Sequence, residues 1–75
     1  MKLEEFIKGF VDLFEDTDPS EVTPTTVFQE LDEWDSLMLL TVIAYFKTSC
    51  GKDVMGKEIN ACTTVEDLYN LVESK

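Results

Sequence analysis

The apolar residues of this chain recur every three or four positions, and this spacing restricts its fold more than any other feature. In the first segment they are Leu3, Phe6, Ile7, Phe10 and Phe14. Such a stripe predicts an amphipathic helix, here over residues 2 to 15. No segment shows the alternation of apolar and polar residues that is typical of a half-buried strand. We therefore expect an all-α protein.

The second helix is predicted to begin within the stretch LDEWDSLMLL, residues 31 to 40. It should end near Cys50, because Gly51 suits the left-handed position that often follows a helix. The residues predicted to face the core are Leu39, Val42, Ile43, Phe46 and Cys50. The opposite side is unusually apolar for a surface and carries Leu37, Met38, Leu40, Thr41, Ala44, Tyr45 and Thr48.

Two further signals complete the helical pattern. A short helix is expected around residues 57 to 61, and Thr63 followed by Glu66 forms a capping-box pattern that predicts the start of the last helix. The predicted fold is one domain, residues 1–75, built as a small bundle of three principal helices. A short extra helix precedes the last one, and the first loop is long.

That first loop is predicted to run to about residue 34, because Pro19 and Pro24 remove amide donors and disfavour a helix. An ordered connection of this length is unusual in so small a domain. We expect apolar side chains to pin it against the helices, namely Val22, Val27, Phe28 and Leu31.

The net charge of the chain restricts the classes of molecule that it can bind. Sixteen acidic residues against six lysines give a net charge of −10, which repels nucleic acid and anionic lipid headgroups. The longest apolar run, residues 37 to 46, is far shorter than the ~20 residues that cross a bilayer. The N-terminus also lacks the apolar stretch of a signal peptide. We expect a cytoplasmic, soluble monomer that neither inserts into membranes nor binds nucleic acid.

The two cysteines do not suggest a metal centre. Cys50 and Cys62 are too few and too far apart for the usual zinc spacings, so we predict no metal site. In a reducing compartment they are expected as buried thiols, although a disulfide between them stays possible.

Ser36 lies where acidic residues give way to the apolar run, and three interpretations of it compete. It could simply occupy the first turn of a helix capped by Asp35, with Trp34 packed on Leu39. A catalytic serine is disfavoured, because the chain has no histidine base and little room for an enclosed pocket. Alternatively, an exposed serine at a helix start is a good attachment point for a phosphodiester, since free amides and a positive dipole end lie there.

Asp35-Ser36-Leu37, at the start of the second helix of a short acidic bundle with a long first loop, resembles the acyl carrier proteins. The resemblance covers the helix order of the whole chain, including the last helix opened by TTVEDLYNLV. It implies an acyl-carrier-like bundle that is not an enzyme. It also implies that a phosphopantetheinyl transferase attaches 4′-phosphopantetheine from coenzyme A to Ser36. The thiol of this arm would then carry acyl groups as thioesters between acyl-loading and acyl-processing enzymes.

The resemblance also assigns roles to the neighbours of Ser36. Asp35 matches the acid that helps to hold the metal of the transferase, and Leu37 matches the apolar contact beside it. The second helix departs from carriers of fatty acid synthesis, because its exposed side is apolar rather than acidic. We therefore expect docking that is less electrostatic and more apolar than in those carriers, and a dedicated biosynthetic pathway. The expected partner-binding residues are Trp34, Met38, Leu40, Thr41 and Tyr45.

Two other functions stay open. The chain could be a peptidyl or aminoacyl carrier, which shares the fold and the serine, although the charge of −10 favours an acyl carrier. It could instead be an unmodified acidic module that docks on a partner protein through its apolar face. For a carrier, the many phenylalanine rings in a small core predict weak sequestration of long acyl chains.

Overall fold

The computed structural model describes residues 2–75. Its helices are α1 (Leu3–Val11), α2 (Ser36–Ser49), α3 (Gly56–Asn60) and α4 (Val65–Glu73). Two short 3-10 turns, Pro19–Glu21 and Phe28–Glu30, lie in the connection between α1 and α2. The described residues form no strand, and their one β-bridge joins Val27 to Thr64. The prediction of an all-α bundle with three longer helices and a short one before the last is confirmed.

The first helix ends earlier than predicted, at Val11 rather than near residue 15. Beyond it the chain tightens into turns, in which the amides of Leu13 and Phe14 donate to the carbonyls of Phe10 and Val11 at 3.1 and 3.0 Å. Bonds to the third preceding residue are a common way to close a helix end. They turn Phe14 into the core, where it is only 7% exposed.

Five phenylalanines from three parts of the chain meet in the core. Phe6 stacks on Phe46 of α2 at a centroid distance of 5.7 Å, and Phe10 contacts Phe14 at 5.2 Å and Phe28 at 6.5 Å. Because aromatic rings bury large apolar areas, these contacts join α1, α2 and the loop. The fully buried aliphatic side chains come from α2, α3 and α4, and are Val42, Ile59, Val65 and Leu68.

The first loop is held by hydrogen bonds to the start of α4. The amides of Val65 and Glu66 donate to the carbonyls of Thr26 and Pro24, both at 3.0 Å. First-turn amides have no partner within their own helix, so the loop satisfies two of them. Four apolar residues were expected to pin the loop. Val22 and Phe28 are buried and Val27 and Leu31 are half-buried, which confirms this expectation.

The capping box of α4 lies one residue later than predicted. Thr64, not Thr63, is the N-cap: its hydroxyl accepts a hydrogen bond from the amide of Asp67 at 3.2 Å. The carboxylate of Asp67, rather than that of Glu66, bonds back to the Thr64 amide at 3.0 Å. The β-bridge between Val27 and Thr64 sets this register, because it places Thr64 in extended backbone.

The second helix follows the prediction closely. It ends at Ser49 with Cys50 as C-cap, and Gly51 has a φ of +67°, the left-handed conformation that glycine adopts without strain. Of its predicted core face, Val42 and Phe46 are buried. The other members, Leu39, Ile43 and Cys50, are half-buried.

Both cysteines are half-buried free thiols rather than fully buried ones. Burial raises the pKa of Cys50 and of Cys62 above the ordinary thiol value. No helix among residues 2–75 is long and apolar enough to cross a membrane.

Candidate functional site

Ser36 is the first residue of α2, and its side chain is exposed. Asp35 precedes it in extended backbone and caps the helix, since its Oδ1 accepts a hydrogen bond from the Met38 amide at 2.8 Å. The predicted N-cap is therefore confirmed. The serine hydroxyl is accessible at the positive end of a helix of 14 residues.

Glu33, three residues before Ser36, ties this end of α2 to the chain beyond α1. Its carboxylate accepts hydrogen bonds from the amides of Glu15 and Asp16, at 3.0 and 3.1 Å to Oε1, and from the hydroxyl of Thr17. These donors lie 16 to 18 residues away in sequence. One carboxylate thus closes the long first loop at the base of α2.

These contacts also keep Glu33 charged. The hydrogen bond from the Thr17 hydroxyl, together with those from the amides of Asp16 and Glu15, lowers the pKa of the Glu33 carboxyl below its ordinary value. Donors favour the ionised form of a carboxyl group because the negative charge accepts hydrogen bonds more strongly. The loop closure therefore favours a negative charge on Glu33, three residues before the serine in sequence.

A surface groove of about 510 Å³ lies beside Ser36, between the end of α1 and the start of α2. Apolar and hydroxyl side chains form part of its lining, and carboxylates form the rest. The lining residues are Leu13, Glu15, Glu33, Asp35, Leu37, Met38 and Thr41. Both sequence neighbours of the serine, Asp35 and Leu37, belong to this set, so we name this feature the α1–α2 groove.

The exposed arc of α2 carries large apolar side chains. Leu37 is 70% exposed and Leu40 is 62% exposed. Met55, which precedes α3, is 58% exposed. The first loop therefore does not cover Leu37 or Leu40.

The five predicted partner-binding residues do not share one surface. Met38 and Thr41 are half-buried and line the α1–α2 groove, where the Thr41 hydroxyl donates to the Leu37 carbonyl at 3.0 Å. Leu40 instead lies on the exposed arc. Direct contact of each with a partner stays a prediction.

The other two predicted partner-binding residues, Trp34 and Tyr45, make contacts within the protein. Trp34 is half-buried and packs edge-on against Phe28 at a centroid distance of 4.9 Å. Tyr45 lies across α1, so close that a Cβ on Gly9 would stand 2.9 Å from the Tyr45 Cζ. Burial raises the pKa of the Tyr45 hydroxyl above its ordinary value.

Most of the net negative charge of the chain lies in the segment that contains Ser36. Residues 9–46 contain nine of the sixteen acidic residues and none of the six lysines. The rest of the chain is nearly balanced, with seven acidic residues and six lysines. This separation is readable from the sequence, but the net charge alone does not reveal it.

The described residues contain no group of three or more His, Cys, Asp or Glu side chains arranged to hold a metal ion. Comparison with known proteins identified no relative: no family model, no curated protein and no solved structure matches this chain.

Proposed function

We propose that this protein is an acyl carrier protein, which carries acyl intermediates as thioesters on a 4′-phosphopantetheine arm attached to Ser36. The observation that carries this proposal is the placement of Ser36. It is exposed at the first position of the longest helix, between a capping Asp35 and a 70% exposed Leu37. A small helical domain that presents one hydroxyl in this way suits modification by another enzyme.

The surroundings of Ser36 fit a phosphodiester. The amides of the first helical turn have no partners within the helix. Of these, the Asp35 carboxylate accepts a hydrogen bond only from the Met38 amide. The remaining first-turn amides and the helix dipole favour a phosphate group at this position. When attached, the arm would supply a terminal thiol for thioester formation. The protein itself would hold the arm and present it to partner enzymes.

Asp35 suits two roles in attaching the arm. Its Oδ1 caps α2, and no donor among residues 2–75 contacts its Oδ2. That second oxygen could join the Mg²⁺ shell of a transferase, because carboxylate oxygens are favoured ligands of this ion. Leu37 offers an apolar contact beside the same hydroxyl.

The deciding experiment is an intact-mass measurement after incubation with coenzyme A, Mg²⁺ and a broad-specificity phosphopantetheinyl transferase. We expect a gain of one phosphopantetheine in the wild-type protein and none in Ser36→Ala. Ser49→Ala is the matched control, because Ser49 is exposed at the other end of α2 and should leave the gain intact. Absence of any gain with several transferases would refute the proposal.

The exposed Leu37 and Leu40 favour a second candidate, an unmodified module that docks on a partner protein. Cellular function should survive Ser36→Ala in this case, whereas a carrier should lose it. An aminoacyl carrier would pass the mass test and differ only in the cargo that is loaded.

A further inference from the structure

The exposed face of α2 is apolar at the start of the helix and basic at its end. After Ser36, its exposed side chains follow one another at helical spacing. They are Leu37, Leu40, Ala44, Lys47 and Thr48, and we name this set the α2 stripe. Although the chain has a net charge of −10, none of the residues from 36 to 49 is acidic. The stripe therefore carries no negative charge of its own.

The hydroxyl groups on and beside the stripe already have partners within the helix. The Thr48 hydroxyl donates to the Ala44 carbonyl at 2.9 Å, and the neighbouring Thr41 hydroxyl donates to the Leu37 carbonyl at 3.0 Å. A hydroxyl that is buried without a partner is costly. Because these two would keep their hydrogen bonds, the stripe can be covered without that cost.

The lysine at the end of the stripe is weakly held. Lys47 lies 3.8 Å from Asp53, and these side chains are 72% and 88% exposed, respectively. Such an exposed pair contributes little to stability, so Lys47 can turn to another carboxylate. At the other end of α2, the Oδ1 of Asp35 caps the helix, while no donor among residues 2–75 contacts its Oδ2. One α2 thus presents both a cation and a carboxylate oxygen that suits it.

From this arrangement we propose that two copies of the chain pair through the α2 stripe, with their α2 helices antiparallel about a two-fold axis near Val42. Leu40 and Ala44 lie two residues on either side of that axis, so each Leu40 packs on the Ala44 of the second copy. The same rotation brings each Lys47 to the start of the other α2. There its alkyl stem lies on Leu37 and its ammonium group reaches the Oδ2 of Asp35.

A second copy suits the stripe because the stripe is complementary to itself. In a two-fold pair every contact occurs twice, so one large-to-small fit and one ion pair each count double. The contact is nevertheless small, since α2 is only about 21 Å long and stable complexes bury about 800 Å² on each partner. Repulsion between two acidic chains weakens it further. We expect a dissociation constant of roughly 0.1–1 mM, so that the chain is the expected monomer at micromolar concentration.

The test is sedimentation equilibrium of the full, unmodified chain from about 10 μM to about 2 mM. A reductant prevents disulfides between copies, and about 0.5 M salt screens the repulsion. We expect the average mass to rise toward twice that of the monomer. Amide shifts on dilution should be largest at Leu37, Leu40, Ala44 and Thr48. A monomer mass at every concentration would overturn the proposal and leave the stripe to a different protein.

Two matched variants separate the stripe from the overall charge. Leu40→Glu should weaken the dimer at least tenfold, because it places a carboxylate at the centre of the contact. Met55→Glu changes the net charge equally at an exposed apolar residue outside α2, and should weaken the dimer less than twofold. Equal weakening by both variants would contradict an interface on α2.

A third variant tests the fit of Leu40 on Ala44. Ala44→Phe adds apolar surface but keeps the helices apart, and should weaken the dimer about tenfold. The double variant Leu40→Ala with Ala44→Leu exchanges the large and the small side chain, and should restore most of the affinity. Since these side chains are exposed, the circular dichroism of each variant should match that of the wild type. Stronger association of Ala44→Phe would overturn the antiparallel arrangement.

Discussion

The contact between Tyr45 and Gly9 predicts that Gly9→Ala destabilises the wild-type protein but stabilises a variant in which Tyr45 is replaced by leucine. Gly9 lies in α1, where alanine is normally the better residue by about 0.5–1 kcal/mol. A Cβ on Gly9 would stand 2.9 Å from Cζ and 3.2 Å from Cε1 of Tyr45, and closer still to its hydroxyl oxygen. Contacts of that length force the ring to move.

The expected magnitude follows from these two opposing effects. Overfilling a packed contact destabilises by about 1–3 kcal/mol. The Tyr45 hydroxyl is the end of a rotatable, half-buried side chain, so the ring can turn outward and the lower part of that range applies. Gly9→Ala should therefore lower the free energy of unfolding by about 0–2 kcal/mol. In a Tyr45→Leu background, which lacks the clashing atoms, the same change should raise it by about 0.5–1 kcal/mol.

The assay is a double-mutant cycle in urea, with all four proteins followed by circular dichroism. We expect a coupling energy of about 1–3 kcal/mol between the two sites. Gly56→Ala is the control, because a Cβ there meets Leu39 and Ile43 at ordinary contact distances of 3.5 and 3.8 Å. It should show no coupling to Tyr45. If Gly9→Ala stabilised both backgrounds equally, Tyr45 would not lie against α1, and its expected role on a partner surface would regain support.

Three further predictions concern the base of α2 and the loop. Asp35→Ala should lower stability by about 1 kcal/mol through loss of the helix cap, and Asp35→Asn should retain most of it, which urea unfolding can measure. Because the folded pKa of Glu33 lies below 4.5, its stabilisation is present above that pH and is lost as pH falls through the folded value. Wild-type stability should thus fall more steeply in acid than that of Glu33→Gln, and parallel pH profiles would refute this. Phe28→Leu should destabilise by roughly 1–2 kcal/mol and shift the fluorescence of Trp34, whereas an unchanged spectrum would contradict their contact.

The fold was predictable where burial is periodic. The spacing of Phe6 and Phe10 on α1, and of Val42 and Phe46 on α2, gives each helix one apolar face, and all four side chains are fully buried. Gly51 was predictable for a different reason: its left-handed conformation is a local property of a helix end. Local and periodic signals depend only on residues that lie close together in the sequence, so the sequence alone reveals them.

Helix ends were less predictable because distant residues decide them. Both Thr63 and Thr64 have an acidic residue three positions later, so the pattern does not choose between them. The choice depends on the bridge from Thr64 to Val27 and on the hydrogen bond from the Val65 amide to Thr26. These partners lie far away along the chain and leave no local pattern.

The candidate site likewise combines features that the sequence predicts with features that it does not. Ser36 and its cap were predictable because a helix start has a local signature. The role of Glu33 was not predictable, because the groups that donate hydrogen bonds to it lie 16 to 18 residues away in sequence. An acid at that separation from two amides and a hydroxyl forms no recognisable motif. Without Glu33 the groove beside Ser36 could not be foreseen either, because one of its walls comes from that long-range contact.

The Glu33 contact also explains why an ordered loop of this length is retained in so small a domain. The loop is anchored at α4 through Thr26 and at the base of α2 through Glu33. The first anchor pairs neutral backbone groups, whereas the second depends on a charged carboxylate. Acid should therefore loosen the wall of the α1–α2 groove before it disturbs the core of five phenylalanines, whose side chains have no titrating group. Hydrogen bonds to the charged Glu33 carboxylate thus stabilise the surroundings of Ser36, whereas apolar packing stabilises the helices that carry them.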